Sequence, residues 1–160
     1  MDYLWSPWRY QYIVNIKNTK YCVFCIDSSA ESDEKKFILF RGKYNFVILN
    51  IFPYTTGHVL ISPYQHVSDL SDCSPQQTAE MMELAKECKL AIEQSYRPNG
   101  FNMGINLGKC AGAGVEYHIH FHVVPRWIGD ANFMSIVGES RVLPETLEAT
   151  YQKLRKFFQK

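Results

Sequence analysis

Three of the chain's five histidines fall within five residues, in the segment Tyr117-His118-Ile119-His120-Phe121-His122-Val123-Val124. Strand side chains alternate between faces, so His118, His120 and His122 are expected on one side and Ile119, Phe121 and Val123 on the other. A core strand has no use for three imidazoles in a row. Two chemistries fit them. Alternate histidines on a strand can chelate zinc. Alternatively, one imidazole attacks phosphorus while its neighbours set its tautomer and charge.

The segment before the triplet bears on this choice. Gly108-Lys109-Cys110-Ala111-Gly112-Ala113-Gly114 opens no helix, so it is not a Walker-type loop, but its backbone N–H groups can form an anion nest. A metal site needs no such cradle, whereas phosphate transfer does. A second cluster is Cys22-Val23-Phe24-Cys25. A redox role for it wants a thioredoxin-like βαβ setting, which the pattern lacks, and a structural zinc needs two further ligands. Of the other cysteines, Cys88 falls on an apolar helix stripe, while Cys73 and Cys110 sit beside turn residues.

These residues must be held by short β-rich segments, Phe37 to Arg41, Tyr44 to Asn50 and His58 to Ser62, then Phe101 to Leu107 and Tyr117 to Val124. Between the third and fourth lies a helix from Ser74 to about Tyr96. Ser74 and Gln77 form a capping box there, Pro75 occupies the first turn, and Met81, Leu84, Ala85, Cys88, Ala91 and Ile92 form one stripe. A final helix is expected from Pro144 towards Lys160, with Leu147, Tyr151, Leu154 and Phe158 on one face. The class is α+β: an antiparallel sheet of about five strands with a central and a C-terminal helix.

The 160 residues make one domain, 1–160, with an N-terminal segment 1–36, a core 37–125 and a C-terminal extension 126–160. Seventeen basic against sixteen acidic side chains give a charge of +1, which argues against nucleic-acid binding by a basic field. No apolar run approaches the ~20 residues of a membrane span, and the first twenty residues carry Asp2, Arg9, Lys17 and Lys20, so no signal peptide, no membrane and a cytoplasmic setting are expected.

His118-x-His120-x-His122 followed by Val123-Val124 resembles the histidine triad (HIT) superfamily of nucleotide hydrolases and transferases. Asn50, Gly57-His58-Val59-Leu60-Ile61, Pro63 and His66-Val67 extend the likeness upstream. Leu4-Trp5-Ser6-Pro7-Trp8-Arg9, Pro125-Arg126-Trp127 and Gly129 through Met134 resemble the bacterial branch of diadenosine tetraphosphate phosphorylases and hydrolases. The resemblance implies a HIT-like fold, a homodimer and a dinucleotide substrate cleaved at the α-phosphate.

On that resemblance, His120 is the nucleophile that carries the nucleotide. His122 contacts phosphate and serves the leaving oxygen, as suits a group titrating near neutrality. His118 supports the strand, and His58 lies at the base of the phosphate site. Asn50 matches a ribose-binding position, while Asn106 and the backbone of Gly112, Ala113 and Gly114 would hold phosphate oxygens. Relatives often carry Gln, Ser or Thr just before the triad. Here Ala113-Gly114-Val115 leaves backbone amides alone, and both water and inorganic phosphate fit as the second acceptor. Trp127 is either packing or an adenine stack; Trp5 and Trp8 are packing or dimer contacts. By the same analogy Cys22, Cys25, His66 and His118 form a structural Cys₂His₂ zinc site, with no cofactor taking part in bond cleavage. Alternatives are a phosphoramidate hydrolase of the same superfamily, a zinc-dependent hydrolase and a nucleotide-binding module without turnover.

Overall fold

The computed structural model describes residues 22–26, 33–130 and 143–159. The expectations on Leu4 to Arg9, on Trp5 and Trp8, and on 131–134 lie outside the described residues. Five strands, β1 (Ile38–Arg41), β2 (Asn45–Leu49), β3 (Val59–Pro63), β4 (Gly100–Ile105) and β5 (Phe121–Arg126), form one antiparallel sheet in the order β1-β2-β3-β5-β4. Among the described residues two α-helices accompany it, α1 (Pro75–Tyr96) and α2 (Leu147–Arg155).

The interior strands read as unbroken apolar runs because both faces of the sheet are covered. Every residue of β2 and β3 is buried. On one face Leu39, Val47, Leu49, Val59, Ile61, Phe121 and Val123 pack against Met81, Leu84, Cys88 and Ile92 of α1 and Tyr151 and Leu154 of α2. On the other, Ile38, Phe46, Ile48 and Leu60 pack against Phe24. His58 precedes Leu60 by two residues, so strand alternation brings it to this second face.

The start of α1 is set as the sequence reads. Gln77 N–H donates to Ser74 Oγ at 3.2 Å, and Ser74 N–H to Gln77 Oε1 at 2.6 Å. Glu80 then fastens the helix to the β1–β2 turn. Its carboxylate accepts from the backbone N–H of Lys43, Tyr44 and Asn45 and from Asn45 Nδ2, all at 2.7–2.8 Å. Gly42 makes this approach possible, since a Cβ there would lie 2.9 Å from Asn45 O and 3.0 Å from the Glu80 carboxyl.

Several element boundaries differ from expectation. The triad strand begins at Phe121, not Tyr117, because its partner β3 ends in Pro63 and side chains replace the ladder beyond that point. Ser62 Oγ donates to Ile119 O at 2.9 Å, His118 Nε2 to Pro63 O at 2.8 Å, and Ile119 N–H to Val67 O at 2.7 Å. The last helix begins at Leu147, not Pro144, because Thr146 caps it through Ala149 N–H. It ends at Arg155, where Phe157 and Phe158 close a tighter turn on Leu154 and Arg155. β4 likewise stops at Ile105, short of Leu107.

Candidate active site and metal centre

Cys22 and Cys25 face His66 and His118, so four potential ligand atoms lie within 4.8 Å of one another. Cys22 Sγ is 3.3 Å and Cys25 Sγ 3.8 Å from His118 Nδ1, and Cys25 Sγ is 3.2 Å from His66 Nδ1. Tetrahedral zinc with two sulfur and two nitrogen ligands sets its donors about 3.4–3.8 Å apart, so the spacing fits. The tautomer fits as well. Pro63 O can only accept, so His118 Nε2 carries the proton and Nδ1 turns a bare lone pair towards the thiols. Of the triad only His118 belongs to this cluster, and His118 is fully buried.

The protonation pattern of the other histidines follows from their neighbours. His120 Nδ1 donates to His118 O at 2.9 Å, which leaves Nε2 unprotonated. His58 Nδ1 accepts from Tyr54 N–H at 3.1 Å and faces Asn50 Nδ2 at 3.3 Å. Asn50 is oriented for this because its Oδ1 accepts from Phe52 N–H at 2.9 Å. His58 must then carry its proton on Nε2, which donates to His122 Nδ1 at 2.9 Å. His122 is left with a proton on Nε2, and that atom is buried without a hydrogen-bond partner. A buried donor without a partner is open to a ligand oxygen or a water.

Burial keeps these rings neutral. It pushes His58 down to about 3, helped by the charges that His122 and His120 would carry. It pushes His122 down to about 4, again helped by His120. His120 is lowered by burial, against the raising effect of its bond to His118 O. The expectation that His122 titrates near neutrality is therefore corrected: at neutral pH it is a fixed neutral donor. An unprotonated Nε2 on His120 stands next to a protonated Nε2 on His122, with ring centroids 4.9 Å apart. Chemically, a bare imidazole nitrogen can attack an electrophile, and an imidazole N–H can donate to an anion.

The remaining expected residues divide. Asn50 is joined to His58, and both line a cavity of about 240 Å³ with Ile51, Pro53, Leu143 and Leu147. Asn106 follows Ile105, whose partner is Phe121, so the register brings it beside His120. Gly112 and Ala113 depart from expectation. Their N–H groups donate to Lys109 O and Gly108 O inside their own turn, so they are not free for phosphate. Trp127 lies one residue past the far end of β5, about 16 Å along the chain from His122 at ~3.3 Å per residue, so the structure does not bring it to the histidines.

Two contributors escaped the sequence reading. Tyr54 supplies the N–H that orients His58 and lays its ring nearly parallel to that of His122, with centroids 6.0 Å and planes 8° apart. Its only signal was a place in the Pro53 to Gly57 turn. Phe24 stacks on His120, and its only signal was its position between two cysteines.

The HIT domain family model matches residues 31–127, which hold the triad, His58 and His66. The AP-4-A phosphorylase of Mycobacterium tuberculosis is 38% identical over 164 residues, spanning 94% of this chain and 81% of its own. The crystal structure of a Zn-bound histidine triad family protein from Mycobacterium smegmatis aligns with a TM-score of 0.66 at 32% identity, over 86% of this chain and 92% of that one. Diadenosine triphosphate hydrolase of Plasmodium falciparum, at 18% identity, a TM-score of 0.63 and coverage of 92% and 93%, shares the fold.

Proposed function

The chain belongs to the HIT domain family, and from that membership and the protonation of its buried histidines we propose that it cleaves dinucleoside polyphosphates at the α-phosphorus through a nucleotide carried on His120. The observation that carries this reading is the pair of opposed nitrogens, Nε2 of His120 bare and Nε2–H of His122 without a partner.

His120 Nε2 attacks the α-phosphorus. A P–N bond forms, the bond to the bridging oxygen breaks, and the departing nucleoside polyphosphate takes the electron pair. The imidazole becomes positive, and its Nδ1–H bond to His118 O strengthens with that charge. His122 Nε2–H donates to a phosphate or leaving oxygen, held in that tautomer by His58. An acceptor oxygen then breaks the P–N bond: water loses a proton and yields the mononucleotide, whereas phosphate yields the nucleoside diphosphate. Asn50 serves the ribose, and Asn106 and the Gly114 amide serve phosphate oxygens. The AP-4-A phosphorylase relative favours phosphate as acceptor and diadenosine tetraphosphate as substrate.

Cys22, Cys25, His66 and His118 hold zinc in this reading. The ion would neutralise two thiolates and tie the 22–26 segment to His118, in the stretch that leads into β5. The protein works as a cytoplasmic homodimer, for which the exposed Met82, Leu90 and Met103 offer apolar surface.

The test is product analysis on diadenosine tetraphosphate with and without phosphate, for wild type and His120→Ala. ATP plus AMP without phosphate marks a hydrolase, and ADP plus ATP only with phosphate marks a phosphorylase. Turnover must vanish in the variant; a variant as active as wild type ends the assignment of His120.

A further inference from the structure

Phe24, between the two cysteines, is 6% exposed and touches two parts of the molecule at once. Its ring lies on the His120 imidazole, with centroids 4.8 Å and planes 28° apart, and it tilts against His118 at 5.5 Å. Behind it is the apolar face of Ile38, Phe46, Ile48 and Leu60. The backbone that carries it is a tight turn, with Cys25 N–H on Cys22 O at 3.1 Å and Ile26 N–H on Phe24 O at 3.0 Å. The ring therefore cannot shift far unless the cysteines shift with it.

This contact supplies what the hydrogen bond of His120 lacks. The imidazole is attached at Cβ and tied at Nδ1 to His118 O. Those two points leave a rocking of the ring about the line between them, and that rocking swings Nε2, on the opposite edge. A flat ring laid on the imidazole face opposes the motion. His122, the other ring neighbour among the described residues, meets His120 obliquely at 56° and opposes it less. Aim matters here, because misplacing a reacting atom by ~1 Å can cost ~10²-fold in rate.

We infer that Phe24 is the positioning residue of His120, clamped by the Cys22–Cys25 turn, so that the metal centre governs the aim of the attacking nitrogen. The inference rests on the reading of His120 as nucleophile. Phe24 touches neither substrate nor metal in this role. It acts through the imidazole it covers.

The test compares wild type, Phe24→Leu, Phe24→Tyr and His120→Ala, each with carbon-13-labelled histidine, zinc-loaded and zinc-stripped. Phe24→Leu stays apolar but loses the flat ring. Its kcat per zinc-loaded molecule is expected to fall about tenfold or more with KM within about threefold, and Phe24→Tyr is expected to restore kcat to within about threefold. The His120 ring signal, identified by its loss in His120→Ala, should move as the ring-current contribution of Phe24 disappears. It should move the same way in wild type stripped of zinc. A kcat loss that vanishes on normalising for zinc, a wild-type kcat in Phe24→Leu, or a ring signal unmoved by stripping overturns the inference. Should Phe24→Leu not fold, stripped wild type and Phe24→Tyr decide it. A His120→Ala protein with full turnover would instead sink the nucleophile reading, with the ring signal still reporting the stack.

Discussion

His58 Nε2 lies 2.9 Å from His122 Nδ1, and the direction of the proton between them is set by a backbone N–H four residues before His58, that of Tyr54. Gly57, at φ +78, turns the chain so that this N–H and the His58 ring meet. Two histidines 64 residues apart thus act as one wire from backbone to active site.

His58→Leu tests that wire. Without its donor, His122 can carry its proton on Nδ1 and offer phosphate a lone pair in place of an N–H. We expect kcat on diadenosine tetraphosphate to fall about 10–100-fold with KM within about threefold, because the bond matters most as charge builds on oxygen. Steady-state kinetics at pH 7.5 checks it; an unchanged kcat shows that His122 needs no orienting partner.

Acid should unfold the protein through the same pair. Both rings sit below the ordinary 6.5, at about 3 for His58 and about 4 for His122. Between those values and 6.5 the unfolded chain binds more protons than the folded one, so stability rises with pH there. Their contribution is complete above about pH 7.5 and is lost as pH falls from 6.5 to about 3. Urea unfolding at pH 7.5 and 5 should show the loss in wild type and a smaller one in His58→Leu. Equal slopes in the two proteins would place the acid sensitivity elsewhere.

Glu80→Gln probes the fold apart from the chemistry. The carboxylate accepts four hydrogen bonds from residues 43–45, and an amide replaces one acceptor oxygen with a donor aimed at donors. We expect a loss of about 2–3 kcal/mol, and with it about 4–12 °C in Tm, with kcat/KM unchanged at temperatures where the variant is folded. Calorimetry beside kinetics checks both halves. A variant of wild-type Tm would show that the β1–β2 turn holds without the helix.

What the chain determined by itself was local or patterned. Ser74, Pro75 and Gln77 announce the start of α1 because a cap is satisfied within four residues. Alternation separates His122 from Phe121 and Val123, since a strand's period is built into its backbone. The histidine spacing marks the candidate site, and the resemblance it carries named the four residues, from three distant segments, that the fold gathers into one cluster. Tertiary structure decided the rest. Both nitrogens of an imidazole are alike in a sequence, and only the carbonyls of His118 and Pro63 and the N–H of Tyr54 assign their protons. β5 starts late because Pro63, on another strand, offers no N–H to continue the ladder. Gly112 and Ala113 are withdrawn from phosphate by their own turn, and Trp127 is carried away along β5. Phe24 reads as one more apolar residue until the fold lays it on His120. Composition and period act along the chain, whereas a hydrogen bond or a ring stack depends on which distant group folding delivers to it.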